Sequence, residues 1–186
     1  IPTTLVFNKA DLVGEEKINE FSKIYSSAGV DLIFTSTKTG RGIDAVKKAL
    51  EGSVTTVAGP SGAGKSTLIN TIAGKEVMET GRVSEKIGRG KQTTRHTELL
   101  EVGEESYIMD TPGFSTLTLP DMEKEDLALY YPEFDELRDN CYFARCVHIH
   151  EPDCKVRDAV ESGKINKVRY ESYISLYEEL AERRRY

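Results

Sequence analysis

"GPSGAGKST", residues 59–67, follows the short β-branched run "SVTTVA" (53–58) and leads into a segment with Leu68, Ile69 and Ile72 on one helical face. A Gly59-x4-Gly64-Lys65-Ser66 pattern between a strand and a helix is a phosphate-binding loop. Gly62 and Gly64 let the backbone wrap an anion, so that successive N–H groups and the helix N-terminus face its charge. The candidate cradle is therefore Gly59, Pro60, Ser61, Gly62, Ala63, Gly64, Lys65, Ser66 and Thr67. Lys65 is placed to reach β- and γ-phosphates, and Ser66 to bind Mg²⁺.

The same texture extends to both sides. "TTLVF" (3–7) has the composition of a strand buried on both faces, with "NKAD" (8–11) at its end. Residues 15–28 place Ile18, Phe21, Ile24 and Tyr25 on one helical face, with Gly29 as a C-cap. "DLIFT" (31–35) is a second strand, followed by "STKTGRG" and a helix with Ile43, Val46 and Leu50 inward. Residues 74–95 show no period and read as a long mobile loop. "TELLEV" (97–102) and "SYIMD" (106–110) pair across "GEE" as a hairpin ending in DTPGF (110–114). Strands alternating with helices predict an α/β fold, a doubly wound sheet with helices on both faces. After Phe114 the pattern turns acidic and helical, and its last helix is expected to bury Ile165, Val168, Tyr173, Tyr177 and Leu180. A boundary near Leu117 gives domains 1–116 and 117–186.

The base-reading residues follow from hydrogen-bond chemistry. A carboxylate at Asp11 can accept from both N1–H and the 2-amino group of guanine, whereas adenine offers an acceptor at N1 and no 2-amino group. Asn8 can contact the base and tie its loop to the phosphate loop, and the stem of Lys9 can cover the ring. Ser36, Thr37 and Lys38 supply a second base loop. Asp110, closing its strand, is the acidic partner of Mg²⁺, and Gly113 can offer its N–H to the γ-phosphate. Placing 53–114 before 1–50 restores the conventional GTPase order, so the chain reads as a circular permutation. The segment after residue 114 would then be wired to the γ-phosphate sensor.

Charge and cysteines bound the rest. With 25 basic and 31 acidic residues the net charge is −6, which argues against broad capture of nucleic acid. No apolar run is long enough for a membrane span, no signal-peptide pattern and no repeat is seen in these residues, and a cytoplasmic protein is expected. Lys86, Arg89, Lys91 and Arg95 form a local basic patch, suited either to nucleic acid or to neutralising the nucleotide's own charge. The arginines at 183–185 complement a helix C-terminus. Cys141, Cys146, His148 and Cys154 make a tetrahedral ligand set for structural Zn²⁺, with buried reduced thiols as the alternative and His150 as a surface spare. One metal would staple a small helical module with little core of its own.

In order, NKAD, TSTKTGRG, GPSGAGKST, GRGKQTTRHTEL, DTPGF and C-x4-C-x-H-x5-C resemble the RsgA/YjeQ family of circularly permuted GTPases that act in maturation of the small ribosomal subunit. The resemblance spans essentially the whole chain and strengthens the zinc reading. It implies GTP/GDP with Mg²⁺, the small ribosomal subunit and its rRNA as partners, a monomer and no membrane. It also implies an N-terminal OB-fold, and a strand upstream of Ile1, that the sequence lacks, so Ile1 is expected not to be the natural start. The residue after DTPG is Phe114, which cannot orient a water; the resemblance points instead to the switch loop, with Gln92 as candidate and His96 as rival. Thr94, ahead of Thr93, is the expected switch contact to Mg²⁺ and γ-phosphate. Two readings remain: a slow GTPase stimulated by the ribosomal subunit, or a nucleotide-ordered rRNA-binding module with negligible catalysis.

Overall fold

The computed structural model describes residues 2–78, 98–110 and 119–183. Their elements fall into two compact units, one from 4–14 and 33–118, the other from 1–3, 15–32 and 119–186. Each unit is thus assembled from separate stretches of chain.

In the first unit, β1 (Thr4–Phe7) and β2 (Asp31–Phe34) form a two-stranded sheet, and the Phe7 and Phe34 rings stack at 5.1 Å. A three-stranded sheet has the order β3 (Val54–Thr56), β5 (Ser106–Asp110), β4 (Glu98–Gly103). β5 runs parallel to β3 and antiparallel to β4, with an irregularity between Glu101 and Gly103 where the hairpin turns. Two helices, α2 (Ile43–Leu50) and α3 (Lys65–Ala73), bury Ile43, Val46, Leu50, Leu68, Ile69 and Ile72, the residues that the 3.6-residue period predicts. These close a core with Val102 and Ile108, on which Val6 and Ile33 of the two-stranded sheet also pack. Among the described residues the strands therefore lie in two sheets that share one core. The predicted loop at 74–95 and the DTPGF turn fall mostly outside the described residues.

The second unit contains α1 (Glu15–Tyr25), α4 (Lys155–Glu161) and α5 (Lys167–Arg183). The acidic stretch forms short 3₁₀ segments at Lys124–Tyr130, Pro132–Phe134 and Arg138–Asn140 rather than longer α-helices. α1 stops at Tyr25, tightened by Ala28 N donating to Tyr25 O at 3.0 Å, so Gly29 lies beyond the end and is not its immediate cap. Gly29 takes φ 69°, and a Cβ there would sit 3.1 Å from Pro132 Cγ, so close packing as well as backbone angle fixes glycine.

Two expectations for this unit are overturned. Val168 is half exposed, at 50%. It lies five residues before the fully buried Tyr173, hence about 140° around the helix from it, and Tyr170 packs on the core in its place. Nor is the core small: Leu127, Ala128, Tyr131, Phe134, Cys154, Val156, Ala159, Ile165, Tyr173 and Leu180 form one buried cluster. Phe134, Ile165 and Leu180 each stabilise it by roughly 1.5–3 kcal/mol through apolar burial. Arg169 reinforces it, donating Nε to Glu133 Oε1 at 2.8 Å and lying over the Tyr131 and Tyr25 rings at 4.8 and 5.7 Å.

Candidate functional site

A loop and a cluster carry the chemistry, one in each unit. The loop between β3 and α3 is shaped by left-handed turns, with φ 79° at Gly62 and 89° at Gly64. Gly64 caps α3, whose first ladder bond runs from Leu68 N to Gly64 O at 2.9 Å. A Cβ at Gly62 would meet nothing within 4 Å, so the loop presents an open concavity, whereas one at Gly64 would fall 2.6 Å from Asn8 Nδ2. Ser66 lies partly buried in the first turn of α3, with Thr67 exposed beside it; Pro60 and Ser61 are exposed on the rim. The Lys65 ammonium donates to Gly59 O at 2.6 Å and Pro60 O at 3.1 Å, folded back along its own loop.

The NKAD segment closes on that loop from the other side. Asn8 Nδ2 donates to Ala63 O at 3.0 Å, and Lys9 Nζ to Gly62 O at 2.7 Å. Lys9 itself takes the left-handed conformation, φ 63°, which turns the chain into the 3₁₀ segment Ala10–Leu12 that carries Asp11. Ser36, fully buried, donates its hydroxyl to Asp11 Oδ1 at 2.6 Å and accepts from Thr39 N at 3.2 Å. That hydroxyl, followed by the backbone N–H of Asp11 and the charge of Lys38, outweighs burial and holds the Asp11 carboxyl below its ordinary value. The loop 36–41 is closed by Ser36 N donating to Arg41 O and Gly40 N to Ser36 O, leaving Thr37 partly buried and Lys38 exposed.

Sequence reasoning missed Thr35. Buried beside Ser36, it donates Oγ1 to Asn8 Oδ1 at 3.1 Å, while its carbonyl accepts from Ala10 N at 2.9 Å. A threonine ending an apolar strand was the available signal. Gln92, Thr93, Thr94, His96, Gly113 and Phe114 lie outside the described residues, as do Lys86, Arg89, Lys91 and Arg95. Asp110 is described as the last backbone position of β5, and its side chain is not.

The cluster is Cys141, Cys146, His148 and Cys154, whose ligand atoms all lie within 4.8 Å of one another. Cys141 Sγ to Cys154 Sγ is 3.9 Å, and His148 Nδ1 lies 3.5 Å from the first and 3.4 Å from the second. A tetrahedral Zn²⁺ with sulfur at about 2.3 Å and nitrogen at about 2.0 Å has S–S and S–N edges of about 3.8 and 3.5 Å, which the three edges among Cys141, Cys154 and His148 match. Burial pushes the Cys146 thiol up to about 12 and raises Cys154 also, against N–H donors from His148 and from the start of α4 respectively. Burial likewise holds His148 below its ordinary value, in the neutral form a metal needs. Buried thiols that resist ionising alone are stabilised as thiolates by a dication. Exposed His150 stands outside the group.

Three side chains missed in the sequence shape the ligand loop. Tyr173 OH donates to Val147 O at 2.7 Å and Tyr170 OH to His148 O at 2.6 Å. Glu151 accepts from three backbone N–H groups, those of Val147, Ile149 and His150. Burial pushes its carboxyl up, but these donors and its own N–H prevail and hold it below the usual value.

The model of the RsgA GTPase family matches residues 1–120. The chain belongs to the RsgA GTPase family. It is 54% identical over all 186 residues to the small ribosomal subunit biogenesis GTPase RsgA of Agathobacter rectalis, and spans 62% of that protein. With the Clostridium botulinum RsgA of the same description it shares 51% over 183 residues, 98% of this chain and 63% of the relative. Among solved structures, YjeQ from Thermotoga maritima superposes with TM-score 0.77 at 39% identity, over 97% of this chain and 60% of that one. YloQ, described as a circularly permuted GTPase, gives 0.73 at 29% identity over 96% and 56%. The chain thus spans less than two thirds of these RsgA relatives.

Proposed function

We propose that this RsgA-family chain hydrolyses GTP, slowly alone and faster on the small ribosomal subunit, in the late maturation of that subunit. The observation that carries the reading is the pair of bonds from Asn8 and Lys9 to the carbonyls of Ala63 and Gly62, which bring a guanine-selective segment onto a phosphate loop that follows it in sequence. Relatives named for small-subunit biogenesis support the subunit as the partner, and its rRNA is the surface we propose the chain meets there. The proposal keeps a permuted GTPase domain over 1–116, with a doubly wound arrangement in which both sheets pack on the core of Val6, Ile33 and Ile108, and a helical zinc-binding domain over 117–186.

In this reading Asp11, ionised and aimed by Ser36, accepts from the guanine N1–H and 2-amino group, with Thr37 and Lys38 beside the base. Lys9 covers the ring. Gly59 through Thr67 surround the phosphates, and Lys65 exchanges the carbonyls of Gly59 and Pro60 for phosphate oxygens. Ser66 and, in the proposal, Thr94 and Asp110 would hold Mg²⁺, which would supply neutralisation of the phosphate charge. Gly113 offers its N–H to the γ-phosphate. Gln92, or His96 in its place, orients the attacking water, since Phe114 cannot. Structural Zn²⁺ is held by Cys141, Cys146, His148 and Cys154. The protein acts as a cytoplasmic monomer, and no described helix is long and apolar enough to cross a membrane.

Phosphate release from GTP and ATP, with and without small subunits, tests the proposal. Stimulation of GTP turnover alone supports it. Phe114 favours a second reading, a nucleotide-ordered rRNA-binding module, and tight GTP binding without stimulated turnover would select that one.

A further inference from the structure

We infer that Glu151 is the positioning residue of the Cys₃His centre, an internal anion around which the ligand loop is folded; the inference rests on the zinc reading above. Its Oε1 accepts from Val147 N at 2.8 Å, and its Oε2 from Ile149 N and His150 N, both at 3.2 Å. The three N–H groups flank His148 on both sides, and Val147 also adjoins the ligand Cys146. His148 needs this help because it holds φ 60°, a left-handed conformation that a side-chain-bearing residue adopts at a cost. Three N–H groups converging on one point have no helix or strand to satisfy them, and a carboxylate with its several lone pairs matches them where a single amide oxygen cannot.

Three carbonyls of the loop are taken as well. The carbonyls of Val147 and His148 accept from Tyr173 and Tyr170 of α5, and the Glu151 carbonyl accepts from Arg157 Nη1 at 3.0 Å. Donors from inside the loop converge on Glu151, and acceptors on its outside are held by the core. Glu151 does not belong to the group of donors that lie within 4.8 Å of one another, which is Cys141, Cys146, His148 and Cys154. Glu151 thereby acts on the ion through the backbone that carries Cys146 and His148, as residues behind a metal's ligands do elsewhere.

The test is a competition titration of Zn²⁺ against a chromophoric chelator for the unaltered chain, Glu151→Ala and Glu151→Gln, with Co²⁺ absorption spectra as second readout. Near-ultraviolet circular dichroism at saturating zinc checks that the tyrosine core stays folded. The expected result is a loss of zinc affinity of about 10–100-fold in Glu151→Ala, with weakened and shifted cobalt bands. Glu151→Gln, which keeps one acceptor oxygen, should recover part of both. Equal zinc affinity and superimposable cobalt spectra for all three proteins overturn the inference while leaving the zinc reading intact. An unaltered chain that binds neither ion overturns both. If Glu151→Ala does not fold, the Glu151→Gln chain decides alone: unchanged affinity and an unchanged cobalt spectrum overturn the inference, and an intermediate loss supports it.

Discussion

The side-chain amide of Asn8 donates to the carbonyl of Ala63 at 3.0 Å and accepts from Thr35 Oγ1 at 3.1 Å, so one residue joins three loops distant in sequence. Asn8→Ala leaves a loop carbonyl and a buried hydroxyl unpaired, which costs roughly 1–3 kcal/mol. Guanine nucleotide affinity, by calorimetry, should fall about 10–100-fold, and Thr35→Val should show a smaller loss of the same kind.

Gly64 allows that contact. Gly64→Ala places a methyl 2.6 Å from Asn8 Nδ2 at φ 89°. The left-handed backbone alone costs about 1–2 kcal/mol, and displacement of Asn8 adds to it. Binding of a fluorescent GDP analogue should drop by at least 100-fold, with the fold of the second unit retained.

Asp11 carries a pH signature. Its folded-state value lies below the ordinary 3.8, chiefly because of the Ser36 hydroxyl. A depressed carboxyl contributes stability that is full above its unfolded value and lost as pH falls through its folded value, so Asp11 stays ionised at neutral and mildly acidic pH. Ser36→Ala should move its titration upward, measured by carboxyl carbon shifts. Asp11→Asn should lower GDP affinity and raise affinity for the 2-oxo base of xanthosine diphosphate, because the new amide can donate to that oxygen.

Removal of Arg169 strands a charge. Glu133 is 2% exposed, and its Oε2 already lacks a hydrogen-bond partner. Arg169→Ala should therefore cost about 3–5 kcal/mol in urea unfolding, and the double change Arg169→Met with Glu133→Leu should recover most of it.

Chelation of zinc should lower the melting temperature of the second unit without erasing its helical signal. A ligand at 1,000 times its Kd stabilises by about 4.1 kcal/mol, while Phe134, Ile165, Tyr173 and Leu180 remain packed. Calorimetry with and without a strong chelator, followed by circular dichroism, checks this.

The legible parts of the chain were those where one local rule decides. Ile43, Val46 and Leu50 obey the helical period, and the β4–β5 hairpin follows from two alternating runs around a glycine. The grouping of Cys141, Cys146, His148 and Cys154 could be read because their chemistry is rare and close in sequence. Val168 failed because sequence alone did not set where α5 begins or which face Tyr173 claims. The core was underestimated because the acidic stretch that carries Leu127, Tyr131 and Phe134 folds into short 3₁₀ segments with no single helical period, and α1 supplies part of the packing from far upstream. Glu151 was invisible: its role lies in backbone groups that converge only once the loop is folded.

The grouping of 15–32 with 119–186 bears on how the chain is made. During synthesis α1 and the turn after it emerge well before Arg169 and Pro132, the partners of Tyr25 and Gly29. An eleven-residue helix is marginal by itself in water, so it stays unsupported until residues 119–183 have been made, and shorter translation products carry an unshielded apolar face that chaperones and proteases can recognise.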